Sequence, residues 1–199
     1  MLTCACASSP EPASAPTPAP DSAALARAAP RAAITAREQY YDIDGSSAGA
    51  LRNQISRLGP KDESGKSQDA LTVWSIEWGY GTAQRDDSCV LRDVKVTLNV
   101  SVTLPRWKPP ATATADVRKQ WQAYLRAVRL HEAGHRTIAE RNAREVMAAL
   151  TPLRGATCDK LSDEATRTAE RTVADGRARN RAYDIQTKHG QTQGVELGP

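Results

Sequence analysis

The sequence predicts an α+β fold in which a small antiparallel sheet packs against one long helix and further helices. Three observations carry this expectation. Within residues 90–104, positions 93–104 alternate polar and apolar side chains strictly, the period of a half-buried strand. Residues 113–150 contain no proline and repeat apolar side chains at helical spacing. The composition also shifts near residue 35, from Ala, Pro and Ser to a globular mixture.

Six of the twelve prolines lie before position 31. Such a stretch holds too little large apolar surface to offset the entropy of ordering it. Residues 1–35 therefore read as an export-signal remnant and a disordered Ala/Pro-rich linker, with one folded domain over 36–199. Ala5-Cys6-Ala7 fits a small-residue cleavage site, although the charged and apolar regions that precede such a site in a full leader are missing. Cys4 and Cys6 are the candidate lipid-anchor positions, neither preceded by a good lipid-attachment motif. The reading that follows is an exported protein, periplasmic or secreted, with or without a lipid anchor.

Residues 37–43 form a predicted strand ahead of Asp44-Gly45. Ser46 or Ser47 caps a helix that runs to Leu58 and stops at Gly59-Pro60. Leu51, Ile55 and Leu58 give that helix one apolar stripe. Lys61 to Asp69 is a loop. Strands follow over 70–80, with Trp74, Ile76, Trp78 and Tyr80 on one face, and over 90–104, closed by Pro105. Trp74, Trp78 and Trp107 are read as core or rim packing. Residues 113–150 read as one long helix or two nearly continuous ones, closed by Pro152 and Gly155; a further helix runs from Ser162 to Ala182. Residues 183–199 read as ordered loop or coil.

Cys89 and Cys158 are the two cysteines of the folded region and form no C-x-x-C pair. In an exported domain they suggest one disulfide, worth on the order of 4 kcal/mol for a loop of roughly 70 residues; the alternative is two buried thiols. The net charge is +4, with arginines scattered along helix faces, so no nucleic-acid partner is expected. No apolar run is long enough to span a membrane.

The chemistry centres on His131-Glu132-Ala133-Gly134-His135. Residues four apart stand one turn apart on a helix, so both imidazoles reach one ion. Trp121, Tyr124, Val128, Ile138, Ala139 and Val146 project on the same side, so the motif faces the interior. Zinc suits imidazole ligands, and three protein ligands leave a fourth position for water. Glu132 is the expected general base. The chain has three histidines, and the remaining one, His189, is the expected third ligand; Glu170 or Asp175 substitutes if the site uses a carboxylate. Tyr183 is a candidate oxyanion donor and Asp184 a candidate outer partner that orients a histidine. Gly134, beside a ligand, implies that another group passes close to the helix.

The segments Tyr40-Tyr41-Asp42, Gly59-Pro60, Thr72-x-Trp74-x-Ile76-x-Trp78, Cys89, Leu104-Pro105-x-Trp107, His131 to His135 and Tyr183-Asp184-x-x-Thr187-x-His189-Gly190 resemble those of a bacterial family of predicted secreted zinc-dependent proteases whose biological role is unassigned. The resemblance implies a zincin-like metallopeptidase acting on peptides or proteins, with His131 and His135 as ligands and Glu132 as base. Two other readings stay open: an envelope-binding or assembly module with structural zinc or no activity, and a zinc amidase acting on cell-wall peptides.

Overall fold

A computed structural model describes residues 31–198. Cys4, Cys6 and the cleavage-like Ala5-Cys6-Ala7 lie outside the described residues. The elements run β1 (Ala33–Ile43), α1 (Ala48–Leu58), β2 (Leu71–Arg85), β3 (Ser88–Trp107), α2 (Ala115–Leu150), β4 (Arg154–Gly155), α3 (Cys158–Thr187) and a 3-10 turn (Gln191–Gln193). None of these helices is long and apolar enough to cross a membrane.

The sheet is mixed, in the order β1-β3-β2, with the short β4 pairing with β3. β2 and β3 pair antiparallel, as expected of the sheet, but β1 pairs with β3 in parallel, Ala33 opposite Thr97 and Tyr40 opposite Leu104. The wholly antiparallel sheet is thus corrected. Alternation reports which face of a strand is buried and carries no information on its direction. Only sequence neighbours joined by a tight turn are bound to be antiparallel, and α1 and β2 separate β1 from β3.

β3 is longer than its alternation suggested and continues through Pro105 to Trp107. β2 begins opposite Thr103, so Pro105 lies where β3 has β1 as its strand neighbour on one side only. A missing N–H is tolerated in such a place. α1 starts as expected, with Ser47 Oγ accepting from Ala50 N at 3.2 Å. α3 exceeds its predicted span at both ends. Thr157, not Ser162, caps it, accepting from Lys160 N at 3.3 Å, and the helix carries on through Tyr183 and Asp184 to Thr187.

Two apolar clusters fill the space between sheet and helices. One joins Leu98 and Val100 of β3 to Ala143, Val146 and Leu150 of α2 and Ala165 and Ala169 of α3. The other joins Ile43, Leu51, Ile55 and Leu104 to Trp121, Tyr124 and Val128 of α2, with Leu197 closing it from the tail. Cys89 and Cys158 are disulfide-bonded, S–S 1.99 Å, which ties the start of α3 to β3. Along α2, Val128 belongs to one cluster and Ala139 to the other. The stretch between them buries His131, Glu132 and His135.

Candidate metal centre

His131, Glu132 and His135 are each 5–6% exposed, in the seam between the two clusters. Burial of three titratable side chains on one helix turn demands partners, and α3 and the tail supply them. His131 Nδ1 lies 3.0 Å from Gln193 Oε1, and His135 Nδ1 lies 2.9 Å from Asn180 Oδ1. An amide oxygen only accepts, so each Nδ1 is the protonated donor. Each Nε2 is then left with its lone pair turned inward.

Those two Nε2 atoms stand 3.2 Å apart. Asp184 Oδ1 lies 3.3 Å from the first and 3.0 Å from the second. Ligand atoms of His131, His135 and Asp184 all fall within 4.8 Å of one another. Two lone pairs aimed at one point repel each other unless something positive sits there. The anionic oxygen beside them completes a donor set of two imidazoles and one carboxylate, which fits a divalent cation with a fourth position open.

The electrostatics agree with that assignment. Burial pushes the Asp184 carboxyl upward, but when a proton rather than a cation occupies the space between the Nε2 atoms, the hydrogen bonds and charge of the two imidazoles outweigh burial and hold it well below the usual carboxylate range. For His135, burial disfavours the charged ring, yet the hydrogen bond and charge of Asp184 prevail and raise its pKa. The site therefore attracts positive charge. Glu132 is raised, first by burial, against the opposing hydrogen bond from Thr72.

The two C-terminal residues lie otherwise than expected. Asp184, expected behind a histidine, itself lies beside both Nε2 atoms. His189, expected there, is outside that three-residue cluster: its side chain is 57% exposed and its Nδ1 lies 3.7 Å from Asp184 Oδ1. The cause is the length of α3. Because the helix runs to Thr187, residue 184 faces α2, while His189 falls after the helix end. There Lys188, His189 and Gly190 all adopt left-handed backbone, with φ of 49°, 53° and 83°. Glu170 and Asp175, the carboxylates offered as substitutes, are on the exposed side of α3.

Tyr183 is not placed to meet an oxyanion. Its hydroxyl lies in the seam between α2 and α3, donating to His131 O at 3.3 Å and accepting from Gln193 Nε2 at 3.0 Å. Its ring stacks on His131 with centroids 5.1 Å apart and planes at 13°. This is the group that Gly134 admits: a Cβ there would lie 2.1 Å from the Tyr183 hydroxyl. Tyr183 thus fixes the orientation of one imidazole.

Sequence reasoning missed Asn180 and Gln193. Asn180 had a signal: Leu161, Ala165, Ala169 and Gly176 mark the buried stripe of α3. Extending that stripe by helical spacing reaches Asn180 and Asp184. Gln193 had none, since its position depends on the reversal of the tail.

A cleft of about 330 Å³ opens over the three ligand groups, with Thr72, Glu132 and His189 also in its lining. Arg52 and Asp69 also line it. Asp69 takes a two-pronged ion pair from Arg52 and a hydrogen bond from the Tyr124 hydroxyl at 2.9 Å.

No curated protein and no solved structure matches the chain. The family model described as a bacterial protein of unknown function, DUF922, matches residues 38–190, a span that holds both histidines, Glu132, Asn180 and Asp184, and the chain belongs to that family.

Proposed function

We propose that the protein is a zinc-dependent peptidase in which His131, His135 and Asp184 hold the ion and Glu132 is the general base. The observation that carries the reading is the convergence of two Nε2 lone pairs and one carboxylate oxygen, each ring fixed from behind by an amide. When bound, zinc supplies a Lewis acid for the scissile carbonyl and lowers the pKa of its water to about 7.

The chain's own residues do the rest. Asn180, Gln193 and Tyr183 keep both rings in the ligating tautomer and orientation. Glu132, one residue along from His131, takes a proton from the attacking water and returns it to the leaving amine. Its burial favours the first of these steps, because a carboxylate in an apolar seam binds a proton more readily. The cleft's open side leaves room for an extended peptide. The disulfide is compatible with work outside the cytoplasm, and export to the periplasm or beyond belongs to the same proposal.

The test is metal analysis with kinetics on the full chain. One zinc per chain and hydrolysis of fluorescein-labelled casein are expected. Glu132→Gln should keep the zinc and lose about 10²-fold or more of the activity. Activity that survives this substitution rules out the base; a protein that holds zinc yet cuts nothing favours the binding-module reading.

A further inference from the structure

The helix-facing row of β2 reads Thr72, Trp74, Ile76, Trp78, Tyr80. Four large side chains follow one small polar residue, which is itself 7% exposed. A valine has the same shape as threonine, so filling space does not require a hydroxyl there. What the hydroxyl does is visible: Thr72 Oγ1 donates to Glu132 Oε2 at 2.6 Å, from strand to helix across 60 residues of sequence.

The same hydroxyl also lies 3.5 Å from the backbone oxygen of Glu132, the longer and weaker of its two contacts with that residue. Among the described residues, Glu132 forms no salt bridge, and Thr72 is the one protein group hydrogen-bonded to its carboxylate. The last torsion of a glutamate is soft, with no preferred staggered well. A general base must present one chosen oxygen within about 2.6–3.2 Å of the proton it takes. Something has to fix that torsion. β2 is a firm anchor at this point, since Thr72 pairs with Val102 of the central strand.

We propose that Thr72 is a positioning residue: its hydroxyl ties Oε2 of Glu132 to the sheet, so that Oε1 is the oxygen presented to the cleft. The inference rests on the peptidase reading given above. It also specifies the path of the proton. The water O–H bond breaks and the proton goes to Oε1, then from Oε1 to the nitrogen of the leaving amine. Oε2 accepts from Thr72 throughout, so the hydrogen bond holds in both charge states of the base. Thr72 touches neither substrate nor ion.

The experiment compares wild type, Thr72→Val, Thr72→Ser and Glu132→Gln as full-length, zinc-loaded chains. The substrate is a quenched fluorescent peptide built on the casein bond that the wild type cuts. Zinc content and a crystal structure of Thr72→Val are measured alongside. Loss of a hydrogen bond to a charged group predicts a fall in kcat of about tenfold or more. KM should stay within about twofold on the same ground, because the bond does not involve the substrate. Zinc content should be unchanged, Thr72→Ser should restore kcat, and the crystal structure should show the Glu132 carboxylate turned from its wild-type position. Should Thr72→Val not fold, Thr72→Ala is read in the same way.

Wild-type kcat in Thr72→Val overturns the proposal, as does a loss that tracks lost zinc or that Thr72→Ser fails to restore. The two hypotheses fail differently. If wild type cuts nothing, or Glu132→Gln cuts as well as wild type, the peptidase reading falls and this one with it. If Glu132→Gln is dead while Thr72→Val is unaffected, only the role of Thr72 falls.

Discussion

Each imidazole of the site has one nitrogen committed to an amide and the other turned toward Asp184. At this scale the sequence was half legible. His131, Glu132 and His135 stood out because a spacing of four on a helix has one geometric meaning. Asp184 was visible as a residue near the site but was given the outer role, since ending the helix at Ala182 left it in the tail, where His189 is the better ligand type. The proposed ligand role of Asp184 is testable. Asp184→Ala should weaken zinc binding by more than the about 10–100-fold typical of an outer partner, whereas His189→Ala should leave the dissociation constant unchanged; a chelator-competition titration measures both. Gly134→Ala is a second case. In an open helix that change adds about 1 kcal/mol of stability. Here the new Cβ meets the Tyr183 hydroxyl at 2.1 Å, and overpacking of that kind costs about 1–3 kcal/mol. The expected net effect is a lower midpoint of urea unfolding, partly recovered in Gly134→Ala/Tyr183→Ala.

Among elements, α2 and the β2–β3 hairpin were readable because their periodicities are long and uninterrupted. The direction of β1 was not, and neither was the extent of α3. Lys188, a long charged side chain, ends that helix in left-handed backbone where a glycine would have announced the stop. The disulfide belongs to this scale too. It joins β3 to the first residue of α3, beside the two-residue strand β4, and holds the end of α3 farthest from Asp184. Reduction, or Cys89→Ala/Cys158→Ala, should cost about 2–5 kcal/mol in denaturant unfolding. Zinc affinity of the chains that remain folded should be unchanged, because the ligand-bearing end of α3 is held separately by Asn180, Tyr183 and the tail.

For the molecule as a whole, the site's position between two apolar clusters explains how so polar a group is kept in place: each cluster clamps α2 on one side of it. Leu197 is 8% exposed in the second cluster, and the chain from His189 to Leu197 is the path by which Gln193 reaches His131. Leu197→Ala should therefore act twice, lowering stability by about 2–5 kcal/mol and weakening zinc binding by about tenfold through the loosened amide, although residue 197 touches no ligand. Calorimetric unfolding and metal titration of one preparation check both effects. That arrangement was not legible in advance, because nothing local in Gly190 to Leu197 announces that a polar, glycine-rich stretch folds back onto a helix 60 residues earlier. It also has a practical side: a tag or fusion partner attached behind Gly198 would tug, through Leu197 and Gln193, on the imidazole of His131, so a handle placed there belongs behind a flexible spacer.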